Sequence, residues 1–105
     1  MIFGMWKGYE TKEARKDKKL ILMSYPKAIQ SKLLYFVNDI LDNPRNLNTV
    51  GKPEQLKHKE TETWSRELNR KDRIVYGIEP ESKYNMPEED EIVVFFQYLG
   101  YYMEK

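Results

Sequence analysis

The chain has 105 residues, enough for one domain but too few for two independent hydrophobic cores. Its 40% hydrophobic and 13% aromatic content predicts a packed core, although 33% of the residues are charged. The absence of cysteine excludes disulfide frameworks and thiolate metal sites, and the single histidine, His58, excludes a multi-histidine site within one chain. We therefore expect a single domain over residues 1–105 that uses no metal or other cofactor.

The net charge of +1 conceals an uneven distribution of charge along the chain. Residues 1–76 carry 16 basic and 10 acidic side chains, whereas residues 77–105 carry 2 and 7. This pattern favours a polyanionic partner for the first three quarters of the chain. The longest apolar runs, Leu20–Met23 and Ile92–Phe96, are too short to span a bilayer, so we expect a cytoplasmic protein with no membrane partner.

The first predicted elements are a strand over Met1–Trp6, which is apolar and aromatic, and a helix over Thr11–Met23. The basic residues of this helix are interpreted as a solvated face rather than a phosphate-binding arm. A second helix is predicted after Ser24, a candidate cap, and it should end at Asn43-Pro44 because proline disfavours a preceding helical residue. Its apolar residues recur at helical spacing: Ile29, Leu33, Phe36, Val37, Ile40 and Leu41.

The remainder of the chain is predicted to be a loop followed by strands. After the loop Asn43–Lys52, three β-rich runs are Thr63–Leu68, Asp72–Ile78 and Glu91–Tyr98. The acidic segment Glu79–Asp90 between the last two is interpreted as a solvated flank. A strand, two helices and an antiparallel meander predict an α+β two-layer domain, with Trp64, Tyr76 and Tyr98 in its core.

One group of polar residues is left outside the predicted helices and core: Glu54, Lys57, Arg66, Arg73, Tyr101 and Tyr102. Metal-independent RNA cleavage needs a base for the ribose 2′-hydroxyl, cations for the charge on the phosphorane, and an acid for the leaving 5′-oxygen. Carboxylates, lysines, arginines and phenols can supply these functions. However, composition alone favours a structural network of ion pairs.

The order of the motifs along the chain favours RNA cleavage over a structural network of ion pairs. Gly51-Lys52-Pro53-Glu54-Gln55-Leu56-Lys57-His58, then Trp64-Ser65-Arg66, then Arg73-Ile74-Val75-Tyr76, resembles the Txe/YoeB family of bacterial toxins. The resemblance implies a RelE/ParE-like fold and a ribosome-dependent mRNA endoribonuclease. It also implies a YefM/Phd-like antitoxin as partner, with a toxin dimer inside a heterotetramer.

Roles for individual residues follow from the same resemblance. Glu54 corresponds to the general base, and Lys57 and Arg73 to cations that stabilise the transition state. Arg66 and Lys52 correspond to RNA contacts. Near the C-terminus, Tyr101 stands where the family has its histidine acid and Tyr102 where it has a stacking tyrosine, whereas Glu67 stands where the family commonly has a second arginine.

Other interpretations remain open at this stage. Glu54 could pair with Lys57 one helical turn away or cap a loop. The domain could be a ParE-like gyrase poison, a group that lacks the Glu54/Lys57 pairing. It could also be a catalytically inactive relative that only binds an antitoxin, because the usual histidine is missing.

Overall fold

The computed structural model describes residues 5–57, 60–84 and 90–100. Two helices pack on a five-stranded mixed sheet, which confirms the predicted α+β class. The elements in chain order are β1 (Gly8–Glu10), α1 (Lys12–Ser24), α2 (Lys27–Asp42), β2 (Glu54–Leu56), β3 (Glu62–Glu67), β4 (Arg73–Pro80), a 3₁₀ turn (Glu81–Tyr84) and β5 (Glu91–Gln97).

The strand order in the sheet is β1-β5-β4-β3-β2. Strands β3 to β5 form the predicted antiparallel meander, β2 adds to β3 in antiparallel orientation, and β1 adds to β5 in parallel. Two cross-strand pairs fix the register that matters for the site: Ser65 lies opposite Glu54 on one side, and Glu67 lies opposite Arg73 on the other. The short strand β2 at the sheet edge was not predicted, because three residues are too few for a clear pattern.

Both helices occur close to their predicted positions. Thr11 caps α1 by accepting a hydrogen bond from the backbone N–H of Ala14 at 3.2 Å. Ser24 was expected to cap α2, but it is the last residue of α1 instead. The residue before α2 is Pro26, whose side chain makes no capping bond. The prediction for Ser24 was wrong because α1 continues to within two residues of the start of α2.

The main core lies between the two helices and one face of the sheet. Leu33, Phe36 and Ile40 of α2 belong to the same buried cluster as Trp64 and Tyr76 of the sheet. Tyr98, just after β5, is also in this cluster. The three aromatic residues assigned to the core from the sequence are therefore confirmed there.

The first strand lies further along the chain than expected. Residues 1–4 are outside the described ranges, and β1 begins only at Gly8. Trp6 instead donates its backbone N–H to the carbonyl of Leu41 at the end of α2, at 2.8 Å. Trp6 packs against the main core, and the register with β5 begins at Gly8, just after a hydrogen bond from the backbone N–H of Val93 to the carbonyl of Lys7.

The acidic segment after β4 is not simply a solvated flank. Glu79 and Glu81 are both buried, in contradiction to that expectation. Glu79 accepts a hydrogen bond from the hydroxyl of Tyr84, and Glu81 forms an ion pair with Lys7 at 3.0 Å. These partners lie on other elements or in the 3₁₀ turn, so the sequence pattern did not reveal them. Residues 85–89 of the same segment are outside the described ranges.

In the described parts of the chain, neither helix is both long and apolar enough to cross a membrane.

Candidate active site on the open face of the sheet

Side chains alternate between the two faces of each strand, and this alternation divides the polar residues into two groups. Trp64, Arg66, Ile74 and Tyr76 point towards the helices. By the register of the sheet, Glu54, Ser65, Glu67, Arg73 and Val75 lie on the opposite side. We call that side the open face.

Arg73 is the central cation of the open face. Its Nε and Nη2 donate hydrogen bonds to the hydroxyl of Ser65, at 3.2 and 2.9 Å. Ser65 itself is fully buried, so its hydroxyl is a fixed anchor within the sheet. The side chain of Arg73 retains 20% of its accessible surface. The guanidinium is thus oriented by the sheet yet still accessible to a ligand.

Glu54 lies beside this guanidinium. Its Oε1 is 3.7 Å from Nη2 of Arg73, and 64% of its side chain is exposed. Because β2 is extended, the helical turn that would pair Glu54 with Lys57 does not form. Strand pairing places Glu54 opposite Ser65, which is also the anchor of Arg73. A single register therefore brings the carboxylate and the guanidinium together.

Lys52 and Glu67 extend the charged group. The Nζ of Lys52 is 3.6 Å from Oε1 of Glu67, and Nη1 of Arg73 is 3.8 Å from Oε2 of the same carboxylate. The backbone N–H of Glu67 also donates to the carbonyl of Gly51 at 2.7 Å. Gly51 has a φ of +86°, and a Cβ there would lie 2.6 Å from the ring of Phe36. Glycine is therefore required to place Lys52 beside Glu67.

Lys57 follows β2 and is exposed. It forms no ion pair or hydrogen bond with another residue of the described ranges. The structure thus brings Glu54, Arg73 and Lys52 into one group with Glu67, and places Lys57 at the end of the strand that carries Glu54.

The segment that leads to the C-terminus is tied to the same end of β4. The backbone N–H of Arg73 donates to the carbonyl of Gly100 at 2.9 Å, and Gly100 donates to Oδ1 of Asp72 at 2.8 Å. The side-chain amide of Gln97 donates to the carbonyl of Leu99 at 2.8 Å. Gly100 is therefore held next to Arg73. Tyr101 and Tyr102, the predicted acid and stacking residue, lie outside the described residues, as does His58.

Arg66, expected to contact RNA, lies on the helix side of the sheet. Its side chain has 0% exposure, and Nη1 donates to Oδ2 of Asp39 on α2 at 2.5 Å. Its Nε donates to the hydroxyl of Tyr76 at 3.2 Å, while Nη2 is buried and has no hydrogen-bond partner among the residues that the structure describes. Arg66 is therefore buried on the helix side of the sheet, and its role as an RNA contact stays a prediction.

The surroundings of Arg66 alter the ionisation of two neighbours. Burial acts to raise the pKa of Asp39, but hydrogen bonds from Arg66 and Thr49 outweigh it, so the pKa is below its ordinary value. Burial raises the pKa of Tyr76 above its ordinary value, against the opposing effect of Arg66. Asp39 thus remains a carboxylate and Tyr76 a phenol near neutral pH, and both side chains accept hydrogen bonds from Arg66.

No group of three or more histidine, cysteine, aspartate or glutamate side chains among residues 5–57, 60–84 and 90–100 is arranged to hold a metal ion. The charged side chains grouped on the open face offer proton transfer by Glu54 and charge stabilisation by Arg73 and Lys52.

Sequence reasoning missed Ser65 and Gln97 as supporting residues of this site. Ser65 was noted only as part of a motif, and Gln97 only as part of a strand. The signal available for Ser65 was its place between Trp64 and Arg66: a buried small polar residue whose neighbours face the helices must itself face the open side. No comparable signal marks Gln97, because its amide bonds only to backbone carbonyls around the site.

Comparisons with known proteins bear on the family and the fold of the chain. The family model described as "YoeB-like toxin of bacterial type II toxin-antitoxin system" matches residues 4–96. Among curated protein sequences, none matches the chain significantly.

Solved structures of similar fold include a YoeB dimer from Staphylococcus aureus, with 23% identity, a TM-score of 0.71 and coverage of 93% of this chain and 99% of that one. A YoeB/ParE toxin from Agrobacterium tumefaciens has 20% identity, a TM-score of 0.72 and coverage of 91% and 99%. The heterotetrameric YoeB-YefM toxin-antitoxin complex from S. aureus has 23% identity, a TM-score of 0.68 and coverage of 92% of this chain and 98% of that one.

Proposed function

Because the chain belongs to the family of YoeB-like toxins of bacterial type II toxin–antitoxin systems, we propose that it is an endoribonuclease that cleaves mRNA on the ribosome. The observation that carries the proposal is the exposed carboxylate of Glu54, 3.7 Å from a guanidinium that Ser65 holds in place. A base and a cation side by side on an accessible surface are what attack by a 2′-hydroxyl on its neighbouring phosphate requires.

In the proposed reaction, Glu54 takes the proton of the ribose 2′-hydroxyl, and the oxygen attacks the adjacent phosphorus. Arg73 stabilises the additional negative charge of the phosphorane, together with Lys57 at the end of β2. The bond to the 5′-oxygen then breaks, and that oxygen takes a proton from the acid. The products are a 2′,3′-cyclic phosphate and a free 5′-hydroxyl, and no water or metal takes part.

Two tyrosines complete the proposal on the basis of the sequence. Tyr101 supplies the proton for the leaving oxygen, and Tyr102 stacks on a base. The anchoring of Gly100 beside Arg73 supports this assignment, because Tyr101 follows Gly100 directly in the chain. An unperturbed phenol, with a pKa of about 10, is a weaker acid at neutral pH than histidine, so the reaction depends strongly on its cations.

The proposed partners follow the relatives. A YefM-like antitoxin covers the basic surface, two toxins assemble with two antitoxins, and the ribosome presents the message in its A site, which places the activity in the cytoplasm. The solved YoeB-YefM heterotetramer and the YoeB dimer of S. aureus support these expectations.

The test is cleavage of a ribosome-bound message by purified protein and by Glu54→Gln, which removes the base and keeps its shape. We expect the variant to lose about 10²- to 10⁴-fold in single-turnover rate, while circular dichroism and antitoxin binding stay unchanged. A message with one 2′-deoxy residue at the scissile position should resist the wild type.

Exposed Glu13 on α1 provides the matched control, as Glu13→Gln removes one charge from a helix that packs on the other face of the sheet and should cleave normally. Normal cleavage by Glu54→Gln, or cleavage of the deoxy message, would reject the mechanism. Absence of cleavage by the wild type, combined with antitoxin binding, would favour the inactive antitoxin-binding relative.

A further inference from the structure

The carboxylate of Glu67 lies between two cations of the open face. Its Oε1 faces Nζ of Lys52 at 3.6 Å and its Oε2 faces Nη1 of Arg73 at 3.8 Å. Each oxygen thus has its own positive partner. Two cations that converge on one oxyanion from different elements also match the arrangement that binds a phosphate group.

Both contacts are loose. Neither distance is within hydrogen-bonding range, and the side chains of Lys52 and Glu67 are 82% and 38% exposed. Exposed ion pairs of this kind contribute little to stability and are easily exchanged for other partners. An incoming anion can therefore replace Glu67 without disturbing the fold.

The guanidinium of Arg73 combines fixed contacts with a loose one. Its Nε and Nη2 are held by the buried hydroxyl of Ser65, whereas Nη1 lies 3.8 Å from Oε2 of Glu67, at ion-pair distance. One side of the guanidinium is thus fixed by the sheet, and the other side faces Glu67, a partner that can be replaced.

We propose that Glu67 is a positioning residue that occupies, in the free protein, the place of a substrate phosphate between Lys52 and Arg73. The inference rests on the proposed function, since it assigns to the same site a phosphate subsite and a carboxylate that competes for it. Glu67 keeps the two cations converged while the site is empty. When an RNA phosphate enters, Lys52 and Arg73 must exchange Glu67 for the phosphate. The negative charge of Glu67 therefore competes with every polyanion that binds at this site.

The test compares Glu67→Gln with the wild type, using an uncleavable 2′-deoxy oligonucleotide as the probe in an NMR titration. We expect the variant to bind about 3- to 10-fold more tightly at low salt, because one competing charge is gone, and its salt slope to be steeper by about 0.7. In ribosome-dependent cleavage, KM should fall by a similar factor while kcat changes by less than about twofold.

Two controls isolate the effect. Glu67→Asp keeps the charge and should bind as the wild type does, and Glu13→Gln changes the net charge equally without changing the probe affinity. Equal or weaker binding by Glu67→Gln than by the wild type, including no binding by either protein, overturns the inference.

A loss of tenfold or more in kcat for Glu67→Gln on saturating ribosomes also overturns it, because Glu67 would then act in the chemical step. Probe binding does not depend on cleavage. A wild-type protein that fails to cut messages would therefore reject the proposed function, while the titration still decides the role of Glu67.

Discussion

Arg66 and Arg73 lie on neighbouring strands of the same sheet, yet their surroundings are opposite. Arg66 is wholly buried on the helix side and donates a short hydrogen bond to Asp39. Arg73, on the open face, keeps part of its surface and meets Glu54 and Glu67 only at ion-pair distances. A tight buried pair stabilises an arrangement, whereas a loose exposed pair leaves a cation available to a ligand.

The two arginines also belong to two different networks of polar contacts. Asp39 accepts hydrogen bonds from both Arg66 and Thr49, so the buried network connects α2, β3 and the loop before β2. The loose group on the open face connects Lys52 at the end of that loop with Arg73. The network of Arg66 stabilises the fold, whereas the network of Arg73 presents charge to solvent. The same substitution made at each arginine can test this difference.

The largest effect is expected in stability. Arg66→Met keeps an aliphatic chain of similar length but removes the buried charge, and it should lower the free energy of unfolding by about 3 kcal/mol. Arg73→Met should lower it by about 1 kcal/mol or less, because the exposed ion pairs that it removes contribute little and the main loss is the pair of bonds to Ser65. Urea denaturation of both variants measures the contrast, and equal losses would contradict it.

The same two variants should reverse their order in activity. Arg73→Met is expected to reduce single-turnover cleavage of a ribosome-bound message about 10²-fold, because charge develops on the phosphate only in the transition state. Arg66→Met, assayed at a temperature at which it is folded, should retain a rate close to that of the wild type. A severe loss of cleavage rate in folded Arg66→Met would show that Arg66 does more than stabilise the fold.

A smaller effect is expected in the dependence of stability on pH. The folded pKa of Asp39 is lowered, so its contribution to stability is complete above its unfolded pKa of about 3.9 and is lost as the pH falls through the folded value. Between about pH 5 and about pH 3, Asp39→Asn should therefore lose stability less steeply than the wild type. Denaturant titrations at several pH values measure the two slopes, and identical slopes would refute the proposed ionic role of Asp39.

The fold could be predicted well from the sequence where an element is long and its composition is distinctive. The apolar residues of α2 recur at helical spacing, and the β-rich runs of β3 and β4 are buried along most of their length, so both kinds of signal are visible in a single sequence. The first strand was misplaced and β2 was missed. Both strands have three residues, and their positions depend on pairing with distant partners rather than on local preference.

The candidate site was predicted in its residue types but not in its arrangement. Motif order alone identified Glu54, Lys57 and Arg73, because these residues stand in a long ordered pattern. It could not tell that Arg66 is buried. Alternation along the strand puts Arg66 on the same face as Trp64, but only the packing against Asp39 of α2 and the pairing with β2 and β4 show that this face encloses the guanidinium. The buried positions of Glu79 and Glu81 were missed for the same kind of reason, as their partners lie on separate elements.

What the sequence by itself determined is the class of the fold, the two helices, the meander and the motif residues, because periodic burial and residue order are properties of the chain. What only the tertiary structure decided is which charges meet. The pairing of Glu54 with Arg73, and of Glu67 with both Lys52 and Arg73, depends on strand register and on the conformation of Gly51. Charges interact strongly only over a few ångströms, and distances between residues far apart in sequence are fixed only when the sheet forms.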